Sequence, residues 1–224
     1  MAAPTTISVD EFIKKILAGE RNLGAIQLAP GSDLAGNRDF AKLNTYLRAQ
    51  DLRNEPLALE GSDWQGLKAA DFFIQFAKLP GVNLKGADLF GADLRRSDLS
   101  GANMAGANVS RGVLANTRLM NGDLSSANLR YCDIYESNMT DANLRGADLS
   151  GARLLNMSLR GADLTGAKMT NCDLYRCDLR GAKGLETVLD LASGNFRASV
   201  VTENEIAVIS AALRNSAMFD IRDE

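Results

Sequence analysis

The sequence contains no histidine, and its 224 residues include only three cysteines, four prolines and one tryptophan. Without histidine a His-assisted catalytic triad is excluded, and a zinc site built on the cysteines would lack partner ligands. No stretch approaches the roughly eighteen uninterrupted apolar residues that indicate a transmembrane helix. The first twenty residues lack the charged and then apolar layout of a signal peptide. We therefore expect a soluble cytoplasmic protein that does not enter a membrane.

The chain also lacks a strong excess of either charge. Its net charge is −3, and residues 81–183 carry 13 basic and 11 acidic groups. Nucleic-acid binders usually concentrate basic charge on one surface, and binders of single strands add aromatic side chains along a basic groove. Neither pattern is present, so we do not expect a nucleic-acid partner.

What the sequence does contain is a five-residue repeat from Val82 to Gly181. Its central position, called i, is aliphatic or methionine in twenty consecutive units, while i−2 is usually small and i−1 is usually Asp or Asn. The residues at i are Leu84, Leu89, Leu94, Leu99, Met104, Val109, Leu114, Leu119, Leu124, Leu129, Ile134, Met139, Leu144, Leu149, Leu154, Leu159, Leu164, Met169, Leu174 and Leu179.

This spacing fits neither a helix, which needs apolar residues every 3.6 positions, nor a strand, which needs them every second position. A fixed short repeat indicates a solenoid, in which each unit packs on its neighbours. The chain must present two inward side chains, at i−2 and i, and then turn. Glycine is frequent at i+2, where a turn with positive φ would need it.

The runs GADLFGADLRRSDLSGAN and NLRGADLSGARL resemble the pentapeptide-repeat family, over about 100 of the 224 residues. The phrase AGERNLGAIQLAPGSDL, from Ala18, is similar to the opening of cyanobacterial members. The resemblance implies an all-β solenoid, a right-handed quadrilateral β-helix with four pentapeptides per coil. Twenty units would make about five regular coils, with i and i−2 inward and the other positions outward.

Three regions follow from this reading. Residues 1–80 should hold a helix over 8–18, capped by Ser8 or Asp10, and irregular coils that include a helix at Phe40 to Ala49. Residues 81–183 form the regular β-helix. Residues 184–224 should form a helical cap, because Thr202 and Glu205 make a capping box ahead of an apolar run. The helix over 202–214 would cover the last coil, or pair two chains into a homodimer.

No catalytic, cofactor or metal site is expected. Cys132, Cys172 and Cys177 all fall at i−2, the small inward position, so we expect them to pack in the core. The many aspartates fall at i−1 at intervals that the repeat dictates, which predicts solvated side chains along the coil surface. We therefore expect a protein that is not an enzyme.

A partner-binding surface can be predicted because units four apart share one side of the coil. On the side that contains Leu94, position i+1 carries Tyr135, Leu155 and Tyr175 in successive coils. We expect these three side chains to form an exposed ridge. Its surroundings hold three further candidate contact residues, which are Tyr131, Arg153 and Arg176. Aromatic and arginine residues around an apolar centre are typical of a protein-binding hot spot, although the ridge could also simply stiffen the coil surface.

The leading hypothesis is therefore a non-catalytic interaction or regulatory scaffold protein with an unidentified protein partner. The alternative comes from quinolone-resistance members of the family, whose resemblance implies mimicry of DNA to inhibit or protect DNA gyrase, a type II topoisomerase. DNA carries one negative charge per about 1.7 Å of its axis, so a mimic should be densely acidic. This coil is slightly basic, and no phenylalanine occupies position i.

Overall fold

The computed structural model describes residues 3–188, 199, 201 and 207–211. Its first elements are strand β1 (Thr5–Thr6), helix α1 (Val9–Leu17), strand β2 (Ile26–Gln27) and helix α2 (Phe40–Arg48). Strand β1 pairs in parallel with β2. A short 3-10 helix, Leu185–Thr187, follows the repeat region.

The repeat region winds into stacked coils of 20 residues. Each residue at i−1 forms a parallel bridge with the residue 20 positions later, in an unbroken series of steps from Ala58↔Lys78 to Asp163↔Lys183. The backbone N–H of Leu124 donates to the carbonyl of Asn143 at 2.8 Å. One bridged residue on each side is too short to be a named strand, although the backbone pairs like a parallel sheet. Four units per coil give a quadrilateral cross-section.

Each side of the coil ends in a tight turn. The N–H of Ala87 donates to the carbonyl of Leu84 at 3.0 Å, and Gly86 between them has a φ of 65°. A hydrogen bond from the fourth residue to the first, together with a positive φ at the third, is the pattern of a type II turn. Position i+2 has a positive φ in every unit from Gly61 to Gly181, including units with bulky residues such as Phe76 and Tyr131. Glycine fits this corner best, but the fold imposes the conformation on every residue type.

The inward side chains form one continuous apolar column. All twenty residues predicted at position i are buried, among them Leu124, Leu144 and Leu164 in successive coils. Burying one leucine side chain contributes roughly 1.5–3 kcal/mol, which offsets the conformational entropy lost by ordering the polar turns. The predicted solenoid core is confirmed.

The same pairing continues N-terminal to residue 81, where we expected the regular coils to begin, and reaches Ala58. Trp64 and Ala69 occupy position i here, and Phe72 occupies i−2; all three are buried. The repeat is hard to recognise here in the sequence because these three side chains differ in size from the usual residues at their positions. They fit in space because this end of the column meets the N-terminal helix, where the rings of Phe12 and Trp64 lie 5.6 Å apart at 72°.

Helices α1 and α2 cover this end of the column. The side chain of Ser8 accepts a hydrogen bond from the N–H of Glu11 at 3.1 Å and caps α1, and Gly19, with a φ of 93°, follows the C-cap residue Ala18. Both predicted helices are confirmed. Their apolar faces are buried and comprise Phe12, Ile13 and Ile16 of α1 and Phe40, Leu43 and Leu47 of α2. The exposed edge of a solenoid needs such a cover.

The other end is described only in part. Residues 207–211 are helical, and Ile209 is buried. They belong to the helix that we predicted over 202–214. The capping box of Thr202 and Glu205, and the remainder of that helix, lie outside the described residues.

The three cysteines lie in the core, as predicted. Each thiol donates to a backbone carbonyl: Cys132 to Val109 at 3.0 Å, Cys172 to Leu149 at 2.8 Å, and Cys177 to Leu154. Burial raises the pKa of all three thiols to about 12. Because the thiolate is the reactive form, these groups are chemically silent in the folded chain.

We therefore expect iodoacetamide to leave the folded protein unlabelled at about pH 8, where an ordinary exposed cysteine reacts. The same reaction in denaturant, counted by mass spectrometry, should label all three cysteines. Rapid labelling of the native protein would show that these thiols are accessible.

Replacing a leucine of the column should destabilise the fold strongly. Leu124→Ala removes a buried side chain and leaves a cavity, so we expect the free energy of unfolding to fall by about 2–5 kcal/mol. The matched control is Ser125→Ala, next to it at an outward position, which should change that value by about 0.5 kcal/mol or less. Chemical denaturation of both variants tests this, and equal losses would contradict an inward column.

Candidate functional site

The Tyr135 ridge consists of Tyr135, Leu155 and Tyr175, and the structure places these residues in one row on the Leu94 side. The N–H of Glu136 donates to the carbonyl of Leu155 at 2.8 Å, and that of Asn156 donates to the carbonyl of Tyr175 at 2.9 Å. The three residues therefore follow one another at the spacing of paired strands, about 4.8 Å. Their side chains are half-buried, so the ridge is less exposed than the sequence predicted.

Arg95 lies in the same row, two coils before Tyr135, and is held by an ion pair. Arg95 donates to Asp93 through two nitrogens, at 2.9 and 2.6 Å, and Gln75 donates to the same carboxylate at 2.8 Å. Burial by itself raises the pKa of Asp93, but these hydrogen bonds and the charge of Arg95 outweigh it, so the pKa lies below its usual value. Ala115 lies between Arg95 and Tyr135 in this row, so one residue of the row separates the ridge from this fixed ion pair.

The edges of the ridge carry the other predicted residues. Tyr131 is 56% exposed, and its ring lies over the backbone of Gly151, where a Cβ atom would come within 2.5 Å of the ring. The guanidinium of Arg176 lies 5.1 Å from the ring centroid of Tyr175. Arg153 donates to Asp133 at 3.0 Å. The six predicted residues therefore occupy one side of the coil and its two corners.

Six ion pairs between arginine and aspartate lie on the coil surface. Six of the seven arginines at i−1 and i+1 meet an aspartate of their own unit or of a neighbouring coil. The ion pairs are Arg95–Asp93, Arg118–Asp98, Arg130–Asp148, Arg145–Asp163, Arg153–Asp133 and Arg180–Asp178. The corner arginines at i+2, which are Arg96, Arg111 and Arg176, form no ion pair within the described residues.

Phe90 is an exposed residue that the sequence reasoning missed. It is 39% exposed and lies at i+1 on the side that contains Leu89, which is adjacent to the ridge side. Its position at i+1 predicts an outward side chain from the sequence alone. Phe90 and Tyr131 place two exposed aromatic side chains on units of the same side, two coils apart.

In the described part of the chain, no cluster of three or more cysteine, aspartate or glutamate side chains could hold a metal ion. Among the same residues, no helix has the length and apolar character needed to span a bilayer.

Comparison with known proteins locates the repeat independently. A family model described as pentapeptide repeats matches eight copies over residues 74–106, 102–141 and 142–181. No curated protein matches the chain. Among solved structures, a pentapeptide repeat protein from the thylakoid lumen of Arabidopsis thaliana is 35% identical, over 44% of this chain and 67% of that protein, with a TM-score of 0.42.

Two further solved structures are more distant. HetL, a pentapeptide repeat protein involved in heterocyst differentiation regulation in the cyanobacterium Nostoc sp. strain PCC 7120, is 21% identical over 86% of this chain and 94% of HetL, with a TM-score of 0.35. QnrB1, a plasmid-mediated fluoroquinolone resistance protein, is 14% identical over 85% of this chain and 97% of that chain, with a TM-score of 0.46.

The match to the repeat model covers most of the coil described above. It agrees with the 20-residue pairing of the backbone. The chain therefore belongs to the pentapeptide-repeat family, whose repeats form a right-handed quadrilateral β-helix.

Proposed function

We propose that this protein is a non-catalytic interaction module that docks a protein partner on the Tyr135 ridge and its two corners. One observation carries the proposal. Tyr131, which is 56% exposed, lies beside the half-buried row of Tyr135, Leu155 and Tyr175. Tyrosine and arginine are the residues most enriched in binding hot spots, where a partially buried anchor becomes fully desolvated on binding.

The backbone under the ridge supports this role because it is rigid. The ridge residues sit in a ladder in which Ile134 donates to Arg153 and Leu154 donates to Asp173, at 2.9 and 2.7 Å. A surface held in this way loses little conformational entropy when a partner binds. Its side chains are presented to the partner already ordered.

We expect the charges around the ridge to orient a partner rather than to attract it over a long distance. Asp133 and Arg153 already pair at 3.0 Å, so this pair adds little net charge to the centre. Arg176 forms no ion pair within the described residues and lies at one corner. A partner with an acidic side chain opposite this corner would gain a contact, and such rim charges mainly set association rate and register.

DNA mimicry is not favoured over this role. The surface aspartates of the coil lie next to arginines, as in the Arg130–Asp148 and Arg145–Asp163 pairs at 3.1 Å each. A mimic needs unneutralised negative charge at a density that approaches that of DNA. The pairing within the coil lowers that density instead.

The absence of catalytic activity, the placement in the cytoplasm and a homodimer through residues 202–214 are further parts of the proposal. They derive from the sequence and stay predictions. The family is generally one of structural and interaction modules, which supports the first of them.

The ridge can be tested by a pull-down from native lysate of the source organism. The parent protein is compared with a variant that carries Tyr135→Ser, Leu155→Ser and Tyr175→Ser together. We expect the triple variant to lose the specifically bound protein, because the apolar centre of the interface is gone. The thermal unfolding midpoint of the variant must show that it remains folded.

The matched control changes the opposite side of the coil at the same position of the repeat. Lys85→Ser, Arg145→Ser and Thr165→Ser lie at i+1 on the Leu84 side and should leave the bound protein unchanged. A folded ridge variant that retains every partner of the parent protein would rule out the ridge as the docking site.

A supercoiling assay with DNA gyrase checks the alternative. Because six of the eleven acidic side chains of the coil pair with arginines and the coil is slightly basic, we expect no inhibition and no protection at micromolar protein. Inhibition at that concentration would instead support DNA mimicry.

A further inference from the structure

A groove of about 430 Å³ lies at the corner between the Leu94 side and the Leu99 side, next to the first residue of the Tyr135 ridge, where the N–H of Asn116 donates to the carbonyl of Tyr135 at 3.0 Å. Its apolar wall consists of Phe76, Ala77 and Pro80. Lys78, Arg96, Arg118 and Asn116 contribute hydrogen-bond donors, and Glu60 and Asp98 contribute two carboxylates. Lys78, Asp98 and Arg118 occupy the same repeat position in three successive coils, as the bridges Lys78↔Asp98 and Asp98↔Arg118 show. We refer to this site as the Arg96 groove.

The donors in the Arg96 groove are largely unused. Within the described residues, no hydrogen bond or ion pair engages the side chains of Lys78, Arg96 and Asn116. Arg118 is 3.8 Å from Asp98, which is a long contact for an ion pair. The surface therefore offers several unengaged donors at one place, in contrast to the paired arginines along the sides of the coil.

Two of the acceptors nearby are engaged. The hydroxyl of Ser97 donates to the carbonyl of Ile74 at 3.0 Å and accepts from the N–H of Ala77 at 3.1 Å. One oxygen of Asp98 accepts from the N–H and the hydroxyl of Ser100. The three cationic side chains of the lining outnumber its two carboxylates by one, so the groove favours a ligand that brings acceptors of its own.

Phe76 gives the groove an aromatic surface. It lies at a corner with a φ of 56°, a conformation that is rare for a bulky side chain. The guanidinium carbons of Arg96 and Arg53 lie 5.4 and 5.8 Å from its ring centroid. The ring is half-buried, so part of it can contact a ligand.

We infer that the Arg96 groove binds a small phosphorylated molecule with a ring or other apolar part. The oxygens of a dianionic phosphate monoester accept hydrogen bonds and pair well with guanidinium and ammonium groups, which matches Arg96 and Lys78. The apolar part would lie against Phe76 and Pro80. The volume falls in the range of small-ligand sites. This activity is separate from protein docking on the ridge and does not depend on it.

Calorimetric titration of the full chain at low ionic strength tests the inference with phenyl phosphate, inorganic phosphate and sulfate as probes. We expect saturable binding of phenyl phosphate in the millimolar range or tighter, weaker binding of inorganic phosphate, and the weakest binding of sulfate. The double variant Lys78→Gln and Arg96→Gln should weaken phenyl phosphate binding by about tenfold or more, because charge-assisted hydrogen bonds are lost.

Arg111→Gln is the matched control for Arg96. Both arginines lie at corner position i+2 with a φ of 60°, and both are exposed and form no ion pair within the described residues. Arg111→Gln should leave the affinity for phenyl phosphate unchanged.

Phe76→Gly separates the aromatic contact from the charge. Glycine tolerates the positive φ of this corner, so the variant should stay folded and lose the preference for phenyl phosphate over inorganic phosphate. The inference is overturned if the wild-type chain shows no saturable binding, if sulfate binds as tightly as phenyl phosphate, or if Arg111→Gln weakens binding as much as the double variant does.

Discussion

The backbone hydrogen bonds between residues in successive coils are the constraint on which the rest of the structure depends. Each unit donates to the coil after it and to the coil before it, as Leu124 does to Asn143 and Asp123 does to Ala102. This pairing satisfies the buried polar groups of the backbone and fixes the register at 20 residues. Because the register is fixed, every leucine at position i falls over another one. The apolar column and the four outward sides are therefore consequences of the same pairing.

The corners show what this constraint does to the surface. Residues at i+2 adopt a positive φ whatever their type, and Tyr131 does so with its ring over Gly151. Arginines along the sides pair with aspartates one coil away or in the same unit, whereas Arg96 and Arg176 at corners keep unpaired guanidinium groups within the described residues. Positive and negative charges on the sides are nearly balanced, whereas Arg96 and Arg176 at the corners have no acidic partner within the described residues. Both surfaces proposed for binding use corner residues.

Much of the fold could be predicted from the sequence because the repeat determines inward and outward positions directly. Leu124 and its equivalents needed only the five-residue spacing, and the N-cap of α1 needed only Ser8 ahead of an amphipathic run. The start of the regular pairing at Ala58 was harder to see, because Trp64 and Ala69 replace the aliphatic residue at i. The ring of Trp64 packs against Phe12, which is distant in the sequence.

The candidate sites could be predicted less completely. The repeat correctly placed Tyr135, Leu155 and Tyr175 in one row, but their half-buried state depends on side-chain packing that spacing alone does not give. The Arg96 groove was missed because its walls come from two sides of the coil. A row-by-row reading of outward residues cannot detect a surface that crosses a corner.

The central claim is the 20-residue register, and scalar couplings across backbone hydrogen bonds measure it most directly by NMR. The structure predicts a coupling between the amide nitrogen of Leu124 and the carbonyl carbon of Asn143, whose N and O atoms are 2.8 Å apart. It also predicts one between the amide of Asp123 and the carbonyl of Ala102. Couplings that join these amides to carbonyls at any other separation in the sequence would contradict the account.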